Sequence, residues 1–288
     1  MIFAVFGRPS DKTFDTLQAL ISYCQQEADT LLIHKFLIEG PTSDYPQDLI
    51  FDKHYDFSKV DVGISVGGDG TFIRLSRMIA PFNVPVLGVN TGRLGFLADI
   101  SAECLPRTLD KIKAKQCRLE NRTLLELNST NNCHKDANLA VNEISILRRD
   151  TSSLLVVKFY ADGRFINNYW ADGLIIATPT GSTAYSLACG GPIVSPESHN
   201  LIITPISPHS LTVRPLVISD DVELSIEVES RADTYMVSVD SRTEIVDITE
   251  KLIIKPSPHK LKVLKNADQD YYTTLREKLM WGKDKREE

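Results

Sequence analysis

At 288 residues and 42% hydrophobic content the chain can bury two modest cores or one large one, which excludes disorder as its main state. Thirty-two basic against 38 acidic residues leave a net charge of -6 with no long basic run. A nucleic-acid or anionic-membrane surface is therefore not expected as the main partner, since both need clustered Lys and Arg; a small anionic ligand needs only a few local donors.

The opening run, Met1-Ile2-Phe3-Ala4-Val5-Phe6-Gly7, is apolar but lacks a basic flank and soon meets Arg8 and Asp11, so it predicts a first strand, not a secretory signal. Phe14, Leu17, Leu20, Ile21 and Cys24 then recur at helical spacing behind Ser10 and Asp11, both suitable caps. Leu31 to Leu37, Val62 to Val66 and Val84 to Val89 read as further strands, each ending near Gly, Pro or Asn. This alternation predicts a layered, Rossmann-like α/β domain over residues 1–100, built on a parallel sheet with crossover helices. A helix over Ala102 to Lys115, capped by Ser101 and turning Leu105, Leu109 and Ile112 inward, is expected as the hinge between the two halves.

From about Leu119 the rhythm changes to short β-branched segments between turn residues, which predicts a mostly β domain over residues 101–264. Strands are expected at Leu154 to Tyr160, Arg164 to Tyr169, Leu174 to Ala177, Val222 to Val228, Thr234 to Val239 and Leu252 to Ile254, with Asp162-Gly163 as a hairpin turn. Within residues 265–288 a helical pattern, Tyr271 to Trp281, can pack back on the first domain. No run approaches the roughly 18 uninterrupted apolar residues of a membrane-spanning helix. Cys24, Cys104, Cys117, Cys133 and Cys189 show no close metal or redox spacing and read as reduced thiols of a cytoplasmic protein. No set of metal ligands is legible.

The sharpest feature is Ile64-Ser65-Val66-Gly67-Gly68-Asp69-Gly70-Thr71-Phe72, a buried-type strand running into three glycines around one carboxylate and then a helix. Glycines there let backbone N–H groups approach a polyphosphate, and the helix N-terminus adds favourable partial charge. Open α/β sheets bind ligands at that end of their strands. A tight turn needing positive φ is the alternative; three glycines plus Asp69 favour the cradle. The loop has neither the Gly-Lys-Ser/Thr ending of a P-loop nor the spacing of a dinucleotide fingerprint. An aspartate beside a phosphate cradle suits phosphoryl transfer, where a carboxylate can take the attacking hydroxyl's proton.

Thr178 to Ser186 forms a second polar loop, in which Pro179 and Gly181 are expected to fix an unusual backbone while Ser182, Thr183, Tyr185 and Ser186 offer hydroxyls to a ribose or an adenine edge. A capped turn explains the same residues equally well. Asn142 and Glu143 could bond ribose hydroxyls or sit exposed at a strand end, and Asp172, before Gly173, could be a plain turn residue.

Gly67 to Thr71 resembles the Gly-Gly-Asp-Gly-Thr signature shared by NAD kinases and by diacylglycerol and sphingosine lipid kinases, with a close variant in phosphofructokinases. Val141 to Ile144, Ala171 to Ser186, Gly190-Gly191-Pro192, Thr204 to Leu211 and Arg214-Pro215 look like the NAD kinase motifs in the family's order, so the resemblance spans most of the chain. It implies a kinase that moves a phosphoryl group from ATP, or a related donor, to the 2′-hydroxyl of the adenosine ribose of NAD. Asp69 would be the catalytic proton acceptor, with Gly68, Gly70 and Arg74 beside it at the phosphates. Asn142, Glu143 and Thr183, Ala184, Tyr185, Ser186, Leu187 and Ala188 would line the dinucleotide site. Asp172 would contact the dinucleotide in a neighbouring subunit, which implies a homo-oligomer, a dimer or a tetramer. A divalent cation, Mg²⁺, would accompany the phosphates, with Glu143 near it.

Two positions depart from the family pattern. Many members carry a basic residue two positions before the aspartate, where this chain has Trp170; an aromatic can stack on a base but cannot pair with a phosphate. Arg242, after Asp240-Ser241, stands where some relatives have Gln, and its charge could assist a phosphate or face solvent. The rival readings are a lipid kinase of the same superfamily and a non-catalytic NAD(P)-binding sensor.

Overall fold

The computed structural model describes residues 1–38, 44–92, 95–131, 133–134, 137–150, 154–267 and 270–281. One unit takes Met1–Asn121 and the chain end from Leu261; the other is Arg122–Lys260. In chain order the first holds β1 (Ile2–Gly7), α1 (Asp11–Gln26), β2 (Thr30–His34), β3 (Ile50–Phe51), β4 (Val62–Val66), α2 (Asp69–Ile79), β5 (Val86–Asn90), β6 (Ile100–Ser101), α3 (Leu105–Lys113) and β7 (Cys117–Arg122). The second holds β8 (Leu125–Ser129), β9 (Leu139–Ala140), β10 (Glu143–Leu147), β11 (Leu155–Ala161), β12 (Arg164–Ala171), β13 (Gly173–Ala177), α4 (Tyr185–Ala188), β14 (Asn200–Ile206), β15 (Leu216–Ser219), β16 (Leu224–Glu229), β17 (Thr234–Val239), β18 (Arg242–Asp247) and β19 (Leu252–Pro256). The chain then returns to the first unit as β20 (Leu261–Asn266) and α5 (Tyr271–Leu279).

Among the described residues the first unit's sheet has the order β3-β2-β1-β4-β5-β20-β7, with β6 paired to β5. From β3 through β5 the pairings are parallel. Strands β4 and β5 are buried at every residue, the near-continuous apolar run that a sheet covered on both faces requires. The hydroxyl of Ser10 caps α1 by accepting the Thr13 N–H at 3.3 Å, and Leu17, Leu20 and Cys24 join Phe3, Val5 and Ile33 in the core.

Several boundaries differ from the sequence expectation, three of them for an identifiable reason. Strand β2 stops at His34, whose Nδ1 accepts the Phe36 N–H at 3.2 Å and turns Lys35–Leu37 into a short helical turn. The helix expected over 102–115 begins as a separate turn at Ala102–Cys104 and continues as α3 with Pro106 in its first turn; Ser101 makes no side-chain cap bond. The units divide at 121/122, where the expectation placed 100/101. The reason is that α3 buries Leu105, Leu109 and Ile112 in the first unit's core and β7 joins its sheet.

In the second unit the described residues form two sheets, β15-β14-β13-β10-β17-β18 and β12-β11-β16-β19-β8-β9. Their inner faces share one core, Ile144, Ile146, Leu174 and Tyr235 from the first and Leu127, Phe159, Ile226 and Ile254 from the second. Strands β11 and β16 alternate buried and half-buried residues as one-sided strands do. The β11–β12 hairpin turns on Asp162 (φ 48) and Gly163 (φ 71), the paired positive φ values of a two-residue turn whose twist matches its strands. Strand β13 is buried on both faces, because Cys189 and Val194 cover Ile175, Ala177 and Ile202 on the side away from the main core. Among the described residues no helix is long and apolar enough to cross a membrane.

Candidate active site

Strand β1 lies between β2 and β4, so the order of the parallel sheet reverses there, and ligands of open α/β sheets collect outside the carboxyl ends at such a point. Gly7 is the Cα partner of Val66. Beyond this pair the two strands lead into Arg8 to Ser10 and into Gly67, Gly68 and Gly70, which with Thr13, Val66, Thr71 and Thr91 line a cleft of about 360 Å³. Gly67 has φ +148°, donates its N–H to Val89 O at 2.8 Å, and has Thr71 Oγ1 only 2.7 Å from where a Cβ would stand, so its glycine is needed by the turn. Gly68 and Gly70 differ: a Cβ at either would meet nothing within 4 Å. Their bare backbone is not explained by packing, and it leaves the N-terminus of α2 open to a close-approaching phosphate.

Asp69, half-buried, is the first residue of α2. Its Oδ1 accepts the N–H groups of Leu97 (3.0 Å) and Ala98 (3.1 Å), and Oδ2 accepts that of Phe96 (3.0 Å). A Cβ on Gly95 would lie 2.0 Å from Oδ1, so the turn can close on the carboxylate only with glycine there. The turn is held from other sides as well: Asn90 Nδ2 donates to Ala98 O at 3.2 Å, and Asp99 pairs with Lys265 of β20 at 2.5 Å, both side chains 6% exposed. A carboxylate has about four acceptor sites, and Oδ2 retains one. Arg74 is exposed on α2 and, among the described residues, is not part of the cleft wall.

In the second unit Asp240 organises the start of β10. Its carboxylate accepts the N–H groups of Val141 (2.8 Å), Asn142 (2.8 Å) and Glu143 (3.2 Å). Asp240 and Ser241 form the β17–β18 turn with φ of 44° and 65°, a conformation that Asp tolerates better than most residues. The sequence reading missed Asp240; its signal was a two-residue polar turn between two alternating strands. Arg242 follows, donating from Nη2 to Ala137 O (2.7 Å) and Leu139 O (3.1 Å) and from Nε to Val239 O (3.2 Å), so its guanidinium braces the segment leading into Asn142.

The Thr178 to Ser186 loop is latched onto the same segment. Thr178 donates its N–H to Asn142 O (2.8 Å) and its hydroxyl to Val141 O (2.6 Å), and Thr178 Oγ1 accepts the Gly181 N–H (3.0 Å). Glycine is needed at 181 for close approach, since a Cβ would stand 2.1 Å from Asn142 O. Gly181→Ala is therefore expected to destabilise the protein by about 1–3 kcal/mol, the usual cost of overpacking, with a lower thermal midpoint. An unchanged midpoint in calorimetry would contradict that close packing.

Ser186 is buried and shares a 2.8 Å hydrogen bond with Thr204, whereas Thr183, Ala184 and Leu187 are half-buried and Tyr185 and Ala188 are exposed. Where the loop meets β10, three buried polar atoms lack a hydrogen-bond partner among the described residues: Asn142 Oδ1, Glu143 Oε2 and Thr180 Oγ1. Such atoms are costly to leave unsatisfied, so three of them together call for a further polar partner such as a water, an ion or a ligand. Burial, then the nearby charge of Asp240, pushes the Glu143 carboxyl up to about 7, against a smaller opposing effect of the Tyr185 backbone N–H. Asp172 is half-buried and pairs with Arg148 at 3.1 Å, while Trp170 stands 54% exposed on β12. Among the described residues no three His, Cys, Asp or Glu side chains form a group that could hold a metal ion.

Residues 19–117 match the ATP-NAD kinase N-terminal domain, and residues 141–266 match the ATP-NAD kinase C-terminal domain. The chain is 42% identical over 291 residues to the NAD kinase of Cytophaga hutchinsonii, covering 99% of this chain and 100% of that one. Identity to the NAD kinase of Flavobacterium psychrophilum is 41% over 296 residues, with the same coverage. An NAD kinase from Archaeoglobus fulgidus, solved in complex with ATP, matches with a TM-score of 0.75 at 25% identity, over 97% of this chain and 99% of that one. Yeast NADH kinase, solved with NADH, shares the fold with a TM-score of 0.86 at 23% identity, over 99% and 88% of the two chains. With the glycine cradle, Asp69 and the Asn142–Glu143 segment in place, these full-length similarities mean that the chain belongs to the NAD kinase family.

Proposed function

We propose that this chain transfers the terminal phosphoryl group of ATP to the 2′-hydroxyl of the adenosine ribose of NAD, giving NADP and ADP. What carries the reading is a carboxylate anchored by three backbone N–H groups, with an acceptor site left on Oδ2, at the start of a helix whose glycine backbone lines the switch-point cleft. Gly68 and Gly70 offer backbone N–H groups to the donor's phosphates, with Arg74 as a supporting cation. The ribose hydroxyl attacks in line, its proton passes to Asp69 Oδ2, and the bond to the leaving ADP oxygen breaks. Anchoring the carboxylate beforehand removes the orientational cost of that proton transfer.

Asn142 and Glu143 hold ribose hydroxyls, and Thr183 to Ala188 line the dinucleotide site. Ser186 acts there through its bond to Thr204, and Arg242 through the carbonyls it braces. Asp172 contacts the dinucleotide in a neighbouring subunit of a dimer or tetramer, and the enzyme works in the cytoplasm. A divalent cation, Mg²⁺, neutralises phosphate charge when bound; such ions take one or two carboxylates and otherwise phosphate and water oxygens. Glu143 fits as one of those carboxylates, because its Oε2 is buried and unpartnered. Incubation of the purified protein with NAD, ATP and Mg²⁺ should yield NADP. Phosphorylation of added diacylglycerol in place of NAD would indicate a lipid kinase, and NADP binding without turnover a sensor.

Trp170 bears on product inhibition. An exposed indole offers a stacking face but no charge to a 2′-phosphate, so the wild type is expected to be the less NADP-sensitive and Trp170→Arg the more sensitive. Equal inhibition constants for NADP in the two proteins would dismiss the idea.

A further inference from the structure

The phosphate cleft has a second wall. Arg8 leaves β1 directly after Gly7, the Cα partner of Val66, so it runs beside Gly67 leaving β4. Arg8, Gly67, Gly68 and Gly70 line the same cleft, between the first turns of α1 and α2. The Arg8 side chain is exposed, and no hydrogen bond or ion pair engages it among the described residues. Neighbouring groups are already committed: Ser10 Oγ bonds Thr13, and Asp69 accepts three N–H groups from the 96–98 backbone. Asp11, in the first turn of α1, is the nearest carboxylate in sequence and is exposed to solvent.

We propose that Arg8 binds the phosphate chain of the donor and sets the affinity for it. The chemistry is that of a planar guanidinium presenting paired N–H donors to phosphate oxygens, opposite a wall of glycine backbone. Neither the glycine signature nor Arg74 supplies this contact: the glycines contribute only main-chain donors, and Arg74 lies outside the cleft wall. The inference rests on the donor reading of this cleft. The ligand is defined by its polyphosphate, which ATP and inorganic tripolyphosphate share.

The test measures Mg-ATP binding by calorimetry and the inhibition constant of tripolyphosphate against ATP, in the wild type, Arg8→Ala and Arg8→Lys. Loss of a charge-assisted phosphate contact should weaken both ligands about 10- to 100-fold in Arg8→Ala. Arg8→Lys should recover part of the loss through its point charge, with KM for NAD held within about twofold and an unchanged thermal midpoint, as for any exposed side chain. Unchanged Mg-ATP affinity in Arg8→Ala would overturn the assignment. So would a loss confined to ATP, which would put Arg8 on the nucleoside, or an equal rise in KM for NAD. A wild type that binds Mg-ATP but forms no NADP would defeat the kinase reading while the binding comparison still decides the role of Arg8.

Discussion

Asp69→Asn is expected to lower kcat by about 10² to 10⁴, the range for removing a positioned general base. The substitution has a second consequence that must be measured beside the first. The carboxylate receives N–H donors on both oxygens, and an amide can turn only one oxygen toward them. Its NH₂ then faces a backbone donor, which costs about 1–3 kcal/mol and loosens the Gly95 to Ala98 turn. Thermal unfolding and Mg-ATP affinity read that structural effect directly. If both stay close to the wild type while kcat collapses, the loss belongs to proton acceptance. Near-normal turnover in Asp69→Asn would sink the mechanism.

Glu143→Gln should change how stability depends on pH. Glu143 is 7% exposed, and burial with the charge of Asp240 raises its carboxyl from the ordinary range to about 7. Below about pH 4.5 the group is protonated in both states and costs nothing. Between about 4.5 and 7 the unfolded chain releases the proton and the folded protein keeps it, so stability falls as pH rises; above about 7 the loss is complete. The gap corresponds to about 3 kcal/mol. Gln has no such transition. Its stability relative to the wild type, followed by urea unfolding across pH 4 to 8, should rise by that amount through the window and then level. A flat difference would mean that Glu143 ionises freely in the folded protein. KM for NAD should rise in the same variant, since a carboxylate acceptor for ribose hydroxyls is lost.

Much of the fold was legible because the local signals agree with the tertiary outcome. Phe3 to Phe6 and Val62 to Val66 are buried on both faces, so their runs are nearly all apolar, with Ser65 the one polar side chain. Asp162-Gly163 carries its turn in its own φ preferences. The limits of α3 were less legible, because the Ala102–Cys104 turn and the α3 helix share one apolar pattern and only Pro106 marks the break. The place of α3 in the first unit could not be read locally, since it depends on which core accepts Leu105 and Leu109.

At the site the division is sharper. Glycine spacing and strand-to-helix context are local properties, so Gly67 to Thr71 could be read from the chain as a glycine-rich turn with a carboxylate at its centre, suited to a phosphate. The order of the later motifs, by resemblance, pointed to NAD as the acceptor and left a lipid kinase as the rival. What each side chain holds emerges in three dimensions alone. Asp69 pins residues 27 to 29 positions away, Asp240 gathers three N–H groups nearly a hundred residues earlier, and Gly181 is demanded by the Asn142 backbone. Those contacts join distant stretches of chain, and no local periodicity or propensity encodes a distance in space.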